Sequence, residues 1–474
     1  MIFNSFPFLF FITTFIIIYY SVKSKNIKVW LCLVGSYFFY SWWDWRFLSL
    51  ILLSTAIDFN IGILIRKYPW KKKVFLLISI IANLGILATF KYLNFFISSF
   101  QDINMLLGFQ TSVQTLNIIL PVGVSFYTFQ TLSYTIDIYR GNLKPETSYL
   151  NFSTFVAFFP QLVAGPIVRA SHFLPQLRKN HIFNGHNFIS GIRLIAVGFF
   201  KKIVIADSAA LIIDRAFELP ESYSSINLII VIILYAIQIY CDFSGYSDIA
   251  IGVARLLGYH FPMNFNFPYF AKNFSDFWSR WHISLSSWLK DYLYISIGGN
   301  RKGQFSTYIN LMVTMILGGL WHGASWNFIV WGLLHGLYLI FQRLFAIPFN
   351  RIRFEFNYIT KQALLLMSIL ITFSLTCFAW IFFRSQNFEQ AMTIIHRIFS
   401  FNDLSIGSIK HKVITLKIVV LAVGFMVSEI VLFRQKSNLI ITEIPARAIQ
   451  TAILLWLIIL FGTYSSNQFI YFQF

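Results

Sequence analysis

The stretch RKYPWKKKVFLLISIIANLGILATFKYLNFFI, residues 66–97, places five cations directly before 24 largely apolar residues. About 20 apolar residues are enough for a helix to cross the hydrocarbon core of a bilayer. Lysine and arginine collect in cytoplasmic loops, so the cations indicate the side on which this helix begins. The stretch therefore predicts a membrane-spanning helix that enters the bilayer from the inside.

Apolar runs of this kind recur along the whole chain. They lie near residues 5–21, 29–43, 46–65, 74–97, 116–138, 191–213, 226–241, 363–383, 413–433 and 447–463, with a broken pair at 306–320 and 326–342. About eleven spans follow, and the alternation of basic loops puts both termini outside. The segment 152–167 is apolar but contains Pro160, Gly165 and Pro166, so we expect it to be buried or re-entrant. The sequence thus predicts an all-α polytopic integral membrane protein, with residues 1–474 forming one membrane domain.

Composition supports the same class. Hydrophobic residues make up 57% of the chain. Charged residues make up 12%, whereas about 25% of the residues in a typical globular protein are charged. This composition excludes both a series of soluble domains and a disordered chain. The net charge of +19 would suggest nucleic acid as a partner in a soluble protein. Here the cations lie in short breaks between apolar runs, so they indicate topology and not nucleic-acid binding.

Residues 276–292, DFWSRWHISLSSWLKDY, space three tryptophans at helical intervals. Indole rings favour the headgroup level of a membrane, so the pattern predicts a single interfacial helix with Trp278, Trp281 and Trp288 on one face. His282 lies off this face, so it faces either the lipid boundary or a protein cavity. A partly solvated structural histidine is the alternative.

A glycine-flanked basic turn follows at residues 298–303, GGNRKG. Backbone N–H groups freed by glycine, together with Arg301 and Lys302, suit the phosphates of a nucleotide-like donor. A plain cytoplasmic loop explains the same residues as well.

The segment GGLWHGASWNFIVWGLLHG, residues 318–336, places His322 between apolar runs, with Gly319 and Gly323 permitting a broken or tightly packed backbone. An ionisable residue inside a membrane protein is a functional candidate by default. Desolvation disfavours the imidazolium, so a neutral His322 would have the lone pair that a general base requires. The alternative is a structural histidine bonded to a neighbouring carbonyl. His335, thirteen residues on, is expected to face elsewhere.

The strings at 266–294, NFPYFAKNFSDFWSRWHISLSSWLKDYLY, at 297–303, IGGNRKG, and at 319–336 closely resemble the bacterial branch of the membrane-bound O-acyltransferase (MBOAT) superfamily. Within it the chain looks most like the membrane subunits of alginate and peptidoglycan O-acetyltransferases, and less like the D-alanyl exporter of teichoic acid modification. The resemblance is densest over about 120–345, which would be the catalytic core. It implies spans around a central funnel that is narrowest near His322.

The resemblance also implies roles for individual residues. His322 takes the place of the family's catalytic histidine. His282 takes that of a second polar active-site residue, where many eukaryotic relatives carry Asn or Asp. The donor would be acetyl-CoA or another acyl thioester arriving from the cytoplasm near the Trp-rich helix. Arg280 and Trp281 therefore join Arg301 and Lys302 as candidate donor-binding residues, with no tightly bound cofactor and no metal.

The last six residues, FIYFQF at 469–474, resemble the ending of family members that move acyl groups outward. A phenol ionises far more readily than an aliphatic alcohol, so Tyr471 could accept the acetyl group with the help of a modest base. Membrane termini are also often aromatic for packing reasons alone. The residues of this tail, 464–474, would lie outside the cell.

The implied partners are membrane lipid, acyl-CoA and an extracytoplasmic SGNH-type acetyltransferase that modifies a surface polysaccharide such as alginate or peptidoglycan. The implied location is the inner membrane of a bacterium. Direct acylation of a lipid-linked or teichoic acid-type acceptor is an alternative. A transporter with an intramembrane histidine relay and no covalent chemistry is the alternative from another class.

Overall fold

A computed structural model describes residues 1–109, 113–116, 118–163, 165–349, 357–401, 412–434 and 444–463. Regular secondary structure within these residues is entirely helical, in agreement with the predicted all-α class. The α-helices are α1 (Phe6–Ser21), α2 (Lys25–Asp44), α3 (Leu48–Lys67), α4 (Lys72–Leu87), α5 (Leu93–Leu106), α6 (Val124–Arg140), α7 (Tyr149–Ala157), α8 (Phe159–Leu162), α9 (Ala170–Leu177), α10 (Gly185–Phe199), α11 (Asp207–Glu218), α12 (Ser225–Leu256), α13 (Phe274–Arg280), α14 (Ile283–Trp288), α15 (Gln304–His322), α16 (Trp326–Phe349), α17 (Tyr358–Arg384), α18 (Phe388–Ser400), α19 (Lys412–Arg434) and α20 (Ile444–Phe461).

Six helical stretches of the described chain are long and apolar enough to cross a bilayer. They are Lys25–Lys67, Pro69–Leu106, Ser225–Leu256, Trp326–Phe345, Tyr358–Arg384 and Leu416–Arg434. Two shorter apolar helices, Phe6–Ser21 and Ile449–Phe461, accompany them. The chain is therefore a multi-pass membrane protein, as predicted. The number of about eleven spans, the central funnel and the outward orientation of the termini stay predictions.

Several predicted spans have different bounds in the structure, among them those expected at 116–138 and 226–241. The helix expected at 116–138 begins only at Val124, after Pro121 and a left-handed Gly123 (φ 79°). Proline has no N–H to donate, and a positive φ cannot continue a right-handed helix, so the residues before Val124 stay outside it. The helix expected at 226–241 instead continues to Leu256.

Ion pairs explain why α12 continues through the acidic residues that follow the predicted span. Two adjacent lysines occupy a π-helical turn between α10 and α11. Lys202 Nζ lies 2.9 Å from Asp207 Oδ1 and 2.7 Å from Asp242 Oδ1, and all three side chains are at most 4% exposed. Lys201 Nζ pairs with Asp248 at 2.8 Å. Buried charges are tolerated only when they are paired, and here each α12 aspartate has a lysine.

A glycine pair brings these lysines close to α12. A Cβ on Gly198 would lie 2.5 Å from the carbonyl oxygen of Gly245, and a Cβ on Gly245 would lie 2.7 Å from the carbonyl oxygen of Gly198. Small residues permit such close backbone approach between membrane helices. The acids lie six residues apart on α12, about 120° apart around its axis, and neighbouring lysines diverge by a similar angle. The close approach at Gly198 and Gly245 therefore places both lysines beside the two aspartates of α12.

The apolar segment 152–167 forms two short helices, α7 and α8, that meet at Phe158 (φ −55°, ψ 112°). Phe152, Phe155, Phe158 and Phe159 are all fully buried. This confirms the prediction of a buried segment that does not make a full crossing.

Contacts divide the chain into two compact units, one of residues 1–192 and 250–262 and the other of residues 193–249 and 263–474. The single domain and the catalytic core at 120–345 stay predictions.

Candidate active site

His322 is the last residue of α15, and its side chain is 3% exposed. The next residue, Gly323, has an extended backbone (φ −163°, ψ 155°), so the helix ends there and the chain turns back into α16. A broken backbone at this point was predicted from the glycines and is confirmed. The imidazole therefore lies at the turn of a helical hairpin formed by α15 and α16.

Glycines pack the two helices of this hairpin backbone against backbone. A Cβ on Gly319 would collide with the carbonyl oxygen of Phe328, and a Cβ on Gly332 would collide with the carbonyl oxygen of Met315. A Cβ on Gly323 would collide with the ring of Phe328. The tight packing predicted for Gly319 and Gly323 is thus present, and it fixes the position of His322 relative to α16.

We expect Gly319→Ala to lower thermal stability. The new methyl group meets a backbone carbonyl, which cannot move aside like a flexible side chain, so α15 and α16 must separate. Overpacking of this kind costs about 1–3 kcal/mol. The melting temperature in detergent measures the effect. Gly85→Ala is the control, since nothing lies within 4 Å of a Cβ there and alanine favours a helix. Equal melting temperatures for both variants would contradict the packing argument.

Three aromatic rings enclose the imidazole of His322. The ring centroids of Trp321 and Trp331 each lie 5.0 Å from it, and that of Phe383 lies 5.2 Å away. All three rings meet it edge to face. Trp331 and Phe383 come from α16 and α17, so three helices enclose one side chain. None of these rings carries a formal charge, and the neutral base that the sequence predicted stays a prediction.

The predicted interfacial helix at 276–292 is wrong in its continuity. It breaks between α13 and α14, where His282 has a left-handed backbone (φ 42°, ψ 56°). The backbone N–H of Ile283 donates to the carbonyl oxygen of Asn264 at 2.8 Å, and the N–H of Asn266 donates to that of Arg280 at 2.9 Å. The segment 264–266 therefore pairs with backbone groups of Arg280 and Ile283 that would have bonded within a continuous helix. The chain turns at His282 between these two residues.

Two of the three tryptophans of this segment, Trp281 and Trp288, are buried in the protein, and Trp278 is partly buried. Trp281 is fully buried, with its ring 5.1 Å from Trp380 and 5.7 Å from Phe277. Trp278 packs on Trp331 at 5.8 Å. Aromatic pairs gain free energy beyond their buried area, and these contacts explain why tryptophans stand at 278 and 281. The depth of the three tryptophans relative to the headgroups stays a prediction.

His282 is fully buried, and Trp321 connects it to the other histidine. The Trp321 ring centroid lies 5.8 Å from that of His282 and 5.0 Å from that of His322. Burial lowers the pKa of His282 from 6.5 to about 3, so the ring is neutral throughout the physiological range. The two predicted catalytic histidines therefore contact the same indole, and His282 is not a solvated structural residue.

The candidate donor-binding residues lie in two different settings. Arg280 Nε donates to Asp276 Oδ1 at 2.7 Å, so its guanidinium already has a carboxylate partner. Arg301 and Lys302 are exposed in the turn that precedes α15. Three glycines with positive φ (Gly298 122°, Gly299 56°, Gly303 88°) shape that turn. The basic turn and His322 are therefore at opposite ends of α15.

Tyr471 and the FIYFQF segment lie outside the described residues. The last described residue, Thr463, is fixed by two hydrogen bonds: its N–H donates to the carbonyl oxygen of Ile203 at 3.1 Å, and its hydroxyl pairs with that of Ser208 at 2.8 Å. The point from which the tail departs is thus anchored beside the buried lysine turn.

Sequence reasoning missed two features of this region. Asn264, which contacts His282, precedes the recognised strings and lies in no periodic pattern. The signal for the lysine network was present, since Lys201 and Lys202 interrupt the apolar run 191–213, and a cation pair within such a run requires partners.

Comparisons with known proteins agree with the resemblance. A model of the MBOAT, membrane-bound O-acyltransferase family, matches residues 37–385, which include both histidines. The chain is 38% identical to the probable alginate O-acetylase AlgI of Pseudomonas putida over 433 residues, covering 90% of this chain and 86% of that protein. It is 37% identical to the peptidoglycan O-acetyltransferase of Helicobacter pylori over 424 residues, covering 84% and 78%. A teichoic acid D-alanyltransferase of Bacillus subtilis is 27% identical over 288 residues, covering 58% and 71%.

Proposed function

The chain belongs to the membrane-bound O-acyltransferase family and is an O-acyltransferase, and from this premise we propose that it moves acetyl groups out of a bacterial cell. The donor is an acyl thioester such as acetyl-CoA at the cytoplasmic face of the inner membrane. The final acceptor is a surface polysaccharide of the alginate or peptidoglycan type. The observation that carries the proposal is that two buried imidazoles contact the same indole, that of Trp321.

In the proposed reaction His322 acts as the general base. Its neutral imidazole takes the proton from the phenol of Tyr471, and the phenolate oxygen attacks the thioester carbonyl carbon. The new C–O bond replaces the C–S bond, and the leaving thiolate takes the proton back from the imidazolium. The products are a free thiol and an acetylated Tyr471.

The acetylated tyrosine then passes its group to a partner outside the cell, an SGNH-type acetyltransferase with a serine nucleophile. An aryl ester is activated enough for this second transfer. The arrangement avoids moving a highly charged donor across the bilayer, since only the small ester changes sides. Tyr471 lies eight residues after Thr463, a reach of about 26 Å in an extended chain.

The basic turn at Arg301 and Lys302 is the proposed contact for the phosphates of the donor. The 19 residues of α15 separate that turn from His322, a length of about 28 Å at 1.5 Å per residue. A donor with phosphates at one end and a thioester at the end of a long flexible arm matches this separation. A short acyl donor such as acetyl phosphate does not.

Incubation of the purified protein with radiolabelled acetyl-CoA tests the tyrosine relay. We expect label on the peptide that contains Tyr471, no label in Tyr471→Phe, and unchanged label in Tyr464→Phe, which removes the other phenol of the same tail. Without the phenol no acetyl ester can form there, so polysaccharide acetylation in cells should also be lost. Mass spectrometry of the terminal peptide measures the first result.

Direct acylation of the acceptor is a second candidate, favoured by the similarity to a teichoic acid D-alanyltransferase. Full polysaccharide acetylation by Tyr471→Phe, abolished by His322→Ala, would support it and exclude the relay. Substrate flux that continues in His322→Ala without any labelled protein would instead indicate a transporter.

A further inference from the structure

Three possible hydrogen-bond donors surround the side-chain oxygen of Asn264. The backbone N–H of Ser284 lies 3.2 Å from it, the hydroxyl of Ser284 lies 2.8 Å away, and Nδ1 of His282 lies 3.1 Å away. Asn264 is 1% exposed, so its amide does not rely on bulk solvent for partners. On its other side, Nδ2 donates to the hydroxyl of Ser247 at 3.2 Å.

These partners settle which way the amide of Asn264 faces. A backbone N–H can only donate, so the atom that receives it from Ser284 must be the oxygen. An amide oxygen can only accept, so the Nδ1 atom of His282 must carry a hydrogen. A neutral imidazole has one N–H, and its other nitrogen, Nε2, is therefore left with a lone pair.

That lone pair has no hydrogen-bond partner among the residues that the structure describes, although the ring is fully buried. The contacting rings are those of Phe243 at 4.6 Å, Phe265 at 6.3 Å and Trp321 at 5.8 Å, and none of them carries a charge. A buried acceptor without a partner is costly for a folded protein. Its position next to Trp321, which also contacts His322, points to a hydrogen-bond donor that arrives with the substrate.

We propose that Asn264 is a positioning residue that fixes His282 as the Nδ1–H tautomer, so that Nε2 accepts a hydrogen bond from an O–H or N–H group of the bound substrate. The inference rests on the proposed acyl transfer for the identity of that substrate. Its first half, the tautomer, is a property of the resting protein. His322 and His282 then have separate tasks: one takes the proton of the attacking hydroxyl, and the other holds a donor group in place.

The tautomer is measured by nitrogen NMR of protein labelled at histidine, with the His282 signals assigned by their loss in His282→Asn. We expect hydrogen on Nδ1 and none on Nε2 in the unmodified protein. Asn264→Leu removes the acceptor at similar volume, so the Nδ1–H form should lose its dominance. The opposite tautomer in the unmodified protein, or an unchanged tautomer in Asn264→Leu, would overturn the proposal.

Kinetics provide the second readout. We expect Asn264→Leu to lower acetyl transfer about 10- to 100-fold, the effect of losing one buried hydrogen bond. Asn264→Asp keeps the acceptor and should recover much of this rate at high pH. Its carboxylate raises the pKa of His282, so activity should fall as pH decreases through that value, whereas the unmodified enzyme shows no such limb.

The control is Ser284→Ala, which removes another donor from the same oxygen and a 3.4 Å contact of its hydroxyl with Nδ1 of His282, but keeps Asn264 as the acceptor for that nitrogen. A rate loss in Ser284→Ala as large as in Asn264→Leu, with no change of pH profile in Asn264→Asp, would reduce Asn264 to a packing role and overturn the inference. The expected tautomer together with no acetyl transfer by the unmodified protein would contradict the proposed function instead.

Discussion

Replacing His322 with alanine is expected to lower acetyl transfer about 10²- to 10⁴-fold, the range over which a positioned general base acts. The imidazole lies at the end of α15 among three aromatic rings, so no solvent base has ready access to the same place. Transfer from radiolabelled acetyl-CoA measures the loss. The control is His396→Ala, which removes an exposed histidine of α18 and should leave the rate unchanged.

Loss of the base must be separated from loss of the fold, because alanine leaves a cavity among the rings of Trp321, Trp331 and Phe383. His322→Phe fills that space without supplying a base, and its melting temperature reports on packing alone. We expect both variants to be inactive, and His322→Phe to melt near the unmodified protein. Substantial transfer by a well-folded His322→Phe would rule out His322 as the base.

Replacing Lys202 with methionine is expected to destabilise the protein by about 3–5 kcal/mol. The ammonium group of Lys202 is the shared partner of Asp207 and Asp242, at 2.9 and 2.7 Å, and both carboxylates are nearly fully buried. Without it, two buried carboxyl groups lose their shared cation and must remain charged without it or take up protons. Denaturant-induced unfolding in mixed micelles measures the change.

Two further variants test whether charge or volume causes that destabilisation. Lys272→Met removes an exposed lysine and should have little effect. Adding Asp207→Asn and Asp242→Asn to Lys202→Met removes the uncompensated charges, and we expect this triple variant to recover most of the lost stability. A triple variant as unstable as Lys202→Met would show that the lysine acts through packing and not through its charge.

The parts of the fold that the sequence predicted are those that depend on neighbouring residues. The apolar runs became helices because every backbone group of a helix finds its partner four residues away. The hairpin around His322 was also predictable from nearby residues, because Gly319 and Gly323 permit a broken or closely packed backbone at this point. The segment 152–167 was predictable as buried because proline and glycine interrupt it within a few residues.

The parts that could not be predicted depend on residues far along the chain. The helix at 276–292 breaks because the backbone at Asn264 and Asn266 bonds to it, and no spacing within the helix reveals that. The acids of α12 remain helical because lysines about 40 residues earlier meet them. The two histidines of the candidate site could thus be named from the sequence, but not the residue that we propose orients one of them.

The left-handed backbone at residue 282 has a consequence for which side chains the position can accept over evolution. Asparagine, aspartate and histidine enter this region of backbone space several times more often than other non-glycine residues, while β-branched residues are nearly excluded. These three are also the residues that the family resemblance associates with this position. The backbone conformation at residue 282 therefore restricts substitutions there to a few polar residues, independently of any catalytic requirement.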